Sequence, residues 1–422
     1  MKPCSLGWFA RITPVLAGVF LFAPAWFPLA RGADWPQFLG PHRDGTTPEA
    51  VAVPWSSDGP KRRWKVDAGS GFSGPIVRAG RAYLFDRLAD EERVRCLNLT
   101  TGTVLWEHRA PTAYVDNFGF DNGPRGTPAT TTNRLVVFGA EARLTCLDLA
   151  DGKPVWTVEA GRTLGADRGF FGPACSPLIL SNRVFLNLGN QEGGGVAAFD
   201  LATGQLLWKA TDHEAGYAAP VPGPALTAEG PPTALFFTRE GLVQTSLAGD
   251  VLVTQRWRSR QNASVNAASP LVRSNEVFLT TSYDTGGLLL RLNGRTVTEI
   301  WSNDEALSAH YATPVQRDGF LYGFHGRQER GPEFRCVEWS TGKVRWSAEN
   351  LGAGTVALAG DRLVLLLESG ELLVAAADPR SFRQLARSQV LGKGTRAPFA
   401  VAEGTVVARD TRNLYCFEVS PK

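Results

Sequence analysis

The chain has 422 residues, 20% of them charged and 43% hydrophobic, with 45 Gly and 27 Pro. This is the composition of a turn-rich, globular, all-β protein rather than a coiled coil or a disordered tail. The formal net charge is small, +3, which excludes the basic excess that a nucleic-acid or anionic-membrane partner demands.

Lys2 and Arg11 precede an apolar run from Ile12 to Ala30, and small residues follow at Ala30–Ala33. That order predicts a secretory signal peptide over residues 1–33 and a secreted or periplasmic protein. An uncleaved anchor is the alternative, since the run is long enough to span a bilayer. Its prolines Pro14, Pro24 and Pro28 and its small-residue exit favour cleavage. The nearby cysteine, Cys4, precedes the run, so a lipid anchor is not expected. Cleavage removes Lys2, Arg11 and Arg31 and no acid, so 44 basic residues become 41 against 41 acidic ones. No later stretch is apolar enough to cross a membrane. Residues 34–60, opening DWPQFLGPHRDG, read as an extended N-terminal belt with Trp35 and Phe38 as apolar anchors.

From residue 61 the chain repeats itself. CLNLTTGTVLW ends at Trp106, CLDLADGKPVW at Trp156, AFDLATGQLLW at Trp208 and CVEWSTGKVRW at Trp346. Weaker copies end at Trp257 and Trp301. Each phrase is a hairpin: an alternating strand, a turn on T-G or D-G where Gly accepts positive φ, and a short strand closing on Trp. Another hairpin lies upstream of each, as in ASPLVRSNEVFLTTS, so one unit is an antiparallel meander of strands a, b, c and d.

Such a sheet has two apolar faces and must stack on neighbours, and a radial ring achieves this with few exposed edges. The units run from about Phe72, Gly126, Pro173, Ala218, Ala267, Tyr311 and Thr355, the last with Leu385 near the Trp position. The final unit, APFAVAEGTVVARDTRNLYCFEV, lacks strand d, whereas KRRWKVDAG around Trp64 is a strand d without a unit. The prediction is an eight-bladed β-propeller over residues 61–422, closed by the N-terminal strand joining the C-terminal blade. Trp64, Trp106, Trp156, Trp208, Trp257, Trp301 and Trp346 are expected to dock adjacent blades, burial of each ring contributing about 2–3 kcal/mol.

Five cysteines follow the apolar run, an odd number, and RCLNL, TCLDL, RCVEW and YCFEV place four of them at one repeat position. Buried free thiols are expected rather than a disulfide framework. No C-x-x-C occurs.

The A-x-D-x-x-T-G-x-x-x-W pattern resembles the tryptophan-docking repeat of the pyrroloquinoline quinone (PQQ) dehydrogenases and is similar to that of BamB-type scaffold propellers of outer-membrane assembly. DWPQFLGP resembles the start of a group of secreted bacterial PQQ-like repeat proteins. The resemblance covers nearly the whole chain after the signal. It implies an eight-bladed propeller and two functions: a binding scaffold, or a dehydrogenase using PQQ and calcium. The dehydrogenase pattern includes adjacent cysteines beside the quinone, which this chain lacks, and BamB is lipidated.

The leading expectation is therefore a non-catalytic scaffold with no cofactor and no metal, a monomer binding a protein or cell-envelope polymer through the d–a loop face. A PQQ- and calcium-dependent oxidoreductase is the alternative. Candidate ligand-binding residues on the loops are Asp121, Arg125, Arg168, Asn266, His310, Tyr311, His325 and Arg396. Asp121, with Asp116, suits either calcium or turn capping. Arg125 and Arg396 suit an anionic ligand or inter-blade hydrogen bonds. His310 suits a ligand or base, or a structural role. Phe170 and Phe171, next to Asp167 and Arg168, suit a docking patch or packing. NQEGGG (190–195) reads as a b–c turn, since no Lys-Ser/Thr follows it.

Overall fold

The computed structural model describes residues 32–420, apart from Ser57, Asp167 and Ala228. The signal peptide expected over residues 1–33 falls almost wholly outside the described residues, as does Asp167. Within them the chain is an eight-bladed propeller of antiparallel four-stranded sheets. Blade 1 shows the plan: Ile76–Arg78, Arg81–Leu88, Glu91–Asn98 and Val104–Pro111, paired in chain order. The eighth sheet is built from both ends of the chain. Ala400–Ala402, Thr405–Arg409 and Asn413–Glu418 supply strands a to c, and Arg62–Asp67 supplies strand d, with Trp64 opposite Cys416.

Apolar side chains are buried between neighbouring blades rather than in one central core. Phe185 and Val196 of blade 3 meet Phe236 and Val243 of blade 4, for example. The tryptophans fasten this stack. Trp64 Nε1 donates to Leu99 O at 2.8 Å, Trp156 Nε1 to Leu201 O at 2.9 Å, and Trp301 Nε1 to Trp339 O at 2.8 Å, each carbonyl lying on the next blade. Trp106, Trp208 and Trp346 do the same with Leu149, Leu247 and Asp378. The rings lie flush on the turn glycines. A Cβ added to Gly102 would sit 2.8 Å from Trp64, and one on Gly152 2.4 Å from Trp106. The glycine of the repeated phrase thus serves close approach as well as positive φ.

Trp257 departs from the expectation. In the other blades the docking residue faces a fixed strand-c partner, as in Cys96 with Trp106 and Ala198 with Trp208. In blade 4 that register falls on Val253, opposite Gln244. Trp257 lies beyond the end of the strand Val251–Arg256 and stacks on Phe237 of its own blade at 5.9 Å. The reason is in the turn: eight positions separate Gly249 from Trp257, against four between Gly102 and Trp106. In blade 7 the same register falls on Ala386, and Leu385 is the bulged residue before it.

Residues 34–60 are not uniformly extended. Trp35 bridges Val77 of blade 1, and Pro36 O accepts from the Thr130 amide of blade 2 at 3.0 Å. The chain then turns through 37–45. Arg43, 1% exposed, donates to Ser176 O (3.1 Å) and Pro177 O (3.0 Å) beside blade 3. Gly45 abuts Val315 of blade 6, and Thr46–Thr47 pairs in parallel with Leu358 and Ala359 of blade 7. Ala33 O accepts from the Glu403 amide of blade 8. A segment that touches the first strands, or their ends, in six blades must lie across the axis. It is a plug in the central channel.

Candidate functional site

Seven d–a loops converge on the channel at one face, each presenting the residue four positions before its strand a. These residues are Phe72, Arg125, Ala174, Tyr217, Ala267, Tyr311 and Arg396, and all line one cavity of about 270 Å³. Phe38 of the plug lines it from the channel, and b–c loop residues Tyr283, Arg327, Gln328 and Glu329, with Phe120, Phe171 and His310 of the d–a loops, add to its wall. Two positions further along the loops, hydroxyls tie the blades together. The Gly74 amide donates to Thr127 Oγ1, that of Thr127 to Ser176 Oγ, that of Ala219 to Ser269 Oγ and that of Ser269 to Thr313 Oγ1, at 2.8–3.0 Å. This partial collar holds the cup-forming residues at a common height.

On one side the cup carries a polar chain. His310 Nδ1 lies 2.7 Å from Gln328 Oε1, which makes it the donor and leaves Nε2 to accept from the Tyr283 hydroxyl at 2.9 Å. Tyr311 donates to Glu368 at 2.7 Å, and Arg396 Nε lies 3.2 Å from the same carboxylate oxygen. Burial lowers the His310 pKa below its ordinary 6.5, so the ring is neutral at pH 7. Burial, and then the Glu368 charge, pushes the Tyr311 phenol well up.

The opposite rim is aromatic. Asp116 accepts the amides of Phe118, Phe120 and Asp121 and the guanidinium of Arg125, which organises the loop and turns two rings outward. Phe118 and Phe120 are each 55% exposed. Tyr217 Oη accepts the amides of Phe170 and Phe171. Phe118 lies 5.2 Å from Phe171 and 6.0 Å from Phe170, and Phe120 lies 5.7 Å from Phe171. Guanidiniums pack on the aromatics: Arg125 on Phe72 and Phe171, Arg239 on Phe170, Arg327 on Tyr283 and Arg396 on Phe120, at 4.8–5.8 Å.

The structure brings together four of the sequence candidates at the cup: Arg125, His310, Tyr311 and Arg396. The others lie elsewhere. The Asp121 side chain caps the Gly123 amide, a turn role. Arg168 packs on Tyr114 and borders a separate surface hollow. Asn266 is buried and clamps blade 4, with Nδ2 on Thr238 O and its carbonyl on the Tyr217 and Ala218 amides. His325 Nδ1 accepts the Ser308 amide. Sequence reasoning missed Phe72, Tyr217, Tyr283 and Glu368. For the first two the signal was present, three residues before Pro75 and Pro220 as Arg125 is before Pro128.

Among the described residues, no three or more His, Cys, Asp or Glu side chains gather as metal ligands, and no helix is long and apolar enough to cross a membrane. All five described cysteines are free and buried. Burial pushes the thiols up, Cys96 to about 11 and Cys175 to about 12.

A stretch of 154 residues is 31% identical to the dehydrogenase subunit of the quinone alcohol dehydrogenase of Gluconacetobacter polyoxogenes, and equally to that of Komagataeibacter europaeus. It covers 34% of this chain and only 20% of those proteins. Among solved structures the fold is similar to BamB from Moraxella catarrhalis, with TM-score 0.61, 14% identity, and 85% of this chain and 97% of that one covered. It is also similar to the quinohemoprotein alcohol dehydrogenase of Comamonas testosteroni, with TM-score 0.58, 13% identity and coverages of 92% and 81%. At such identities the likeness is one of fold. Residues 90–348, more than half of the chain, match the family described as outer membrane protein assembly factor BamB, and the chain belongs to that family.

Proposed function

We propose that the protein is a non-catalytic binding scaffold of the bacterial cell envelope, secreted or periplasmic, whose d–a loop face docks a protein or an envelope polymer. The observation that carries this is the aromatic rim: Phe118 and Phe120 stand exposed against Phe170 and Phe171, held from below by Asp116 and Tyr217. Preordered aromatic rings flanked by arginine are the composition of interface hot spots. A photoreactive residue placed at Phe118 or Phe170 should trap one discrete envelope partner. Absence of any adduct at either position, in cells that export the protein, would end this reading.

The second reading is a quinone-dependent oxidoreductase, favoured by the 31% identical stretch. The acids at the cup do not fit calcium as they stand. Glu368 already holds Tyr311 and Arg396, Glu329 holds Arg327, and Asp116 holds Arg125 with three amides. Adding PQQ and Ca²⁺ to purified protein distinguishes the two readings. The scaffold reading expects no stoichiometric quinone uptake and no dye reduction with alcohols or sugars.

A further inference from the structure

The cup beneath the rim has a chemistry of its own. The plug crosses the axis and contributes Phe38 to the cup's lining. At about 270 Å³ the cup lies near the small end of ligand pockets. Its walls are mostly aromatic or aliphatic, and its charged lining is Arg125, Arg327, Arg396 and Glu329, an excess of positive charge.

Among the described residues, Arg125 and Arg327 each carry a buried nitrogen without a hydrogen-bond partner, and of the two Arg125 is packed against two aromatic walls. Arg125 donates from Nη2 to Asp116 at 3.1 Å and to the Asp121 carbonyl at 3.2 Å, and that carboxylate also takes three amides. Its Nη1 is buried and has no hydrogen-bond partner among the described residues. An unpaired buried donor on a charged group is costly, and an anionic acceptor relieves it. The Arg125 guanidinium also packs between Phe72 and Phe171, so a ligand that reaches it must present a flat apolar body to those rings.

We propose that the cup is a small-molecule site for a monocarboxylate carried on an apolar body about the size of one aromatic ring, with the carboxylate on Arg125 and the body between the aromatic walls beside Phe38. This goes beyond docking at the rim: crosslinking at Phe118 and binding in the cup can each fail while the other holds.

The test is calorimetric titration of the purified protein with phenylacetate and with its neutral isostere, phenylacetamide. Phenylacetate should bind at least about tenfold more tightly, the worth of a charge-assisted hydrogen bond. Arg125→Gln should abolish that preference. Phe38→Trp, which fills the cup without altering charge, should weaken phenylacetate about tenfold or more by loss of space. Should Arg125→Gln fail to fold, the isostere comparison and Phe38→Trp decide the matter. No heat with phenylacetate at millimolar concentration, equal affinity for the two ligands, or unchanged binding in Phe38→Trp would overturn the proposal.

Discussion

The hydroxyl oxygen of Tyr217, on the loop entering blade 4, accepts the backbone amide of Phe171, on the loop entering blade 3, at 3.1 Å, and that of Phe170 at 2.7 Å. One phenol therefore fixes the position of two rim aromatics. Burial pushes it up to about 12, so it stays a neutral acceptor at any physiological pH. Tyr217→Phe removes the acceptor and strands two amides, at a cost of about 1–3 kcal/mol. Amide exchange at residues 170 and 171 should rise sharply while the blades keep their protection. Unchanged exchange there would show that the rim is held by other contacts.

Trp64 and Trp257 are alike in the repeat and unlike in the fold. Trp64 is 7% exposed and closes the ring against Leu99 and Gly102, whereas Trp257 is half-buried at the edge of the cluster between blades 4 and 5 and stacks on Phe237 of its own blade. Trp64→Ala should cost about 3–5 kcal/mol, and Trp257→Ala distinctly less. Urea midpoints for the two variants test the order.

Gly152 and Gly294 both have positive φ, at 74° and 60°. A Cβ at Gly152 would fall 2.4 Å from the Trp106 ring, whereas at Gly294 it meets nothing within 4 Å. Gly294→Ala should cost only the left-handed penalty of about 1–2 kcal/mol. Gly152→Ala should add a displaced tryptophan worth about 1–3 kcal/mol more. Equal losses in thermal unfolding would mean that ring contact contributes nothing at this turn.

His310 makes stability depend on pH with a definite sign. Burial lowers its pKa in the folded state below the ordinary 6.5. Protons therefore bind the unfolded chain first as pH falls, and stability drops from about pH 6.5 downward until the folded ring also protonates. Burial moves His108, His213 and His325 the same way. Around His310 stand Tyr283, Gln328, Arg327, Glu329 and Arg396. Between pH 7.5 and 5.5 the urea midpoint of His310→Gln should fall less than that of the parent. An identical fall would move the titration to the other three rings.

The ring was readable from the sequence because its determinants are local and repeated: a turn glycine, a strand of alternating character, a tryptophan four residues on. Trp257 shows how that reading fails, for a tryptophan is visible in a sequence but the register of Val253 against Gln244 is not. The cup was half legible. Arg125, Tyr311 and Arg396 stood out as functional residue types, but Phe72 and Tyr217 occupy the same repeat position and look like core residues until the loops are superimposed. Asp121 and Asn266 were misleading because Asp and Asn satisfy backbone groups as readily as ligands. Phe38 was visible only as an anchor, since nothing local says that residues 37–45 turn into the channel.

The plug and the closing strand belong to one continuous stretch, residues 33–67. Trp35, Pro36 and Arg43 meet blades 1 to 3, but the contacts that seat the plug and close the ring come late in the chain, Ala33 at Glu403, Thr47 at Ala359 and Trp64 at Cys416. Residues of this stretch therefore wait for strands made hundreds of residues later. Until blade 8 has been synthesised, the ring is unclosed and the edge strand Asn413–Glu418 does not yet exist to receive its mate. A nascent chain caught before that moment is an open arc with bare edges, and its safe passage depends on being kept apart from its own kind until blade 8 emerges.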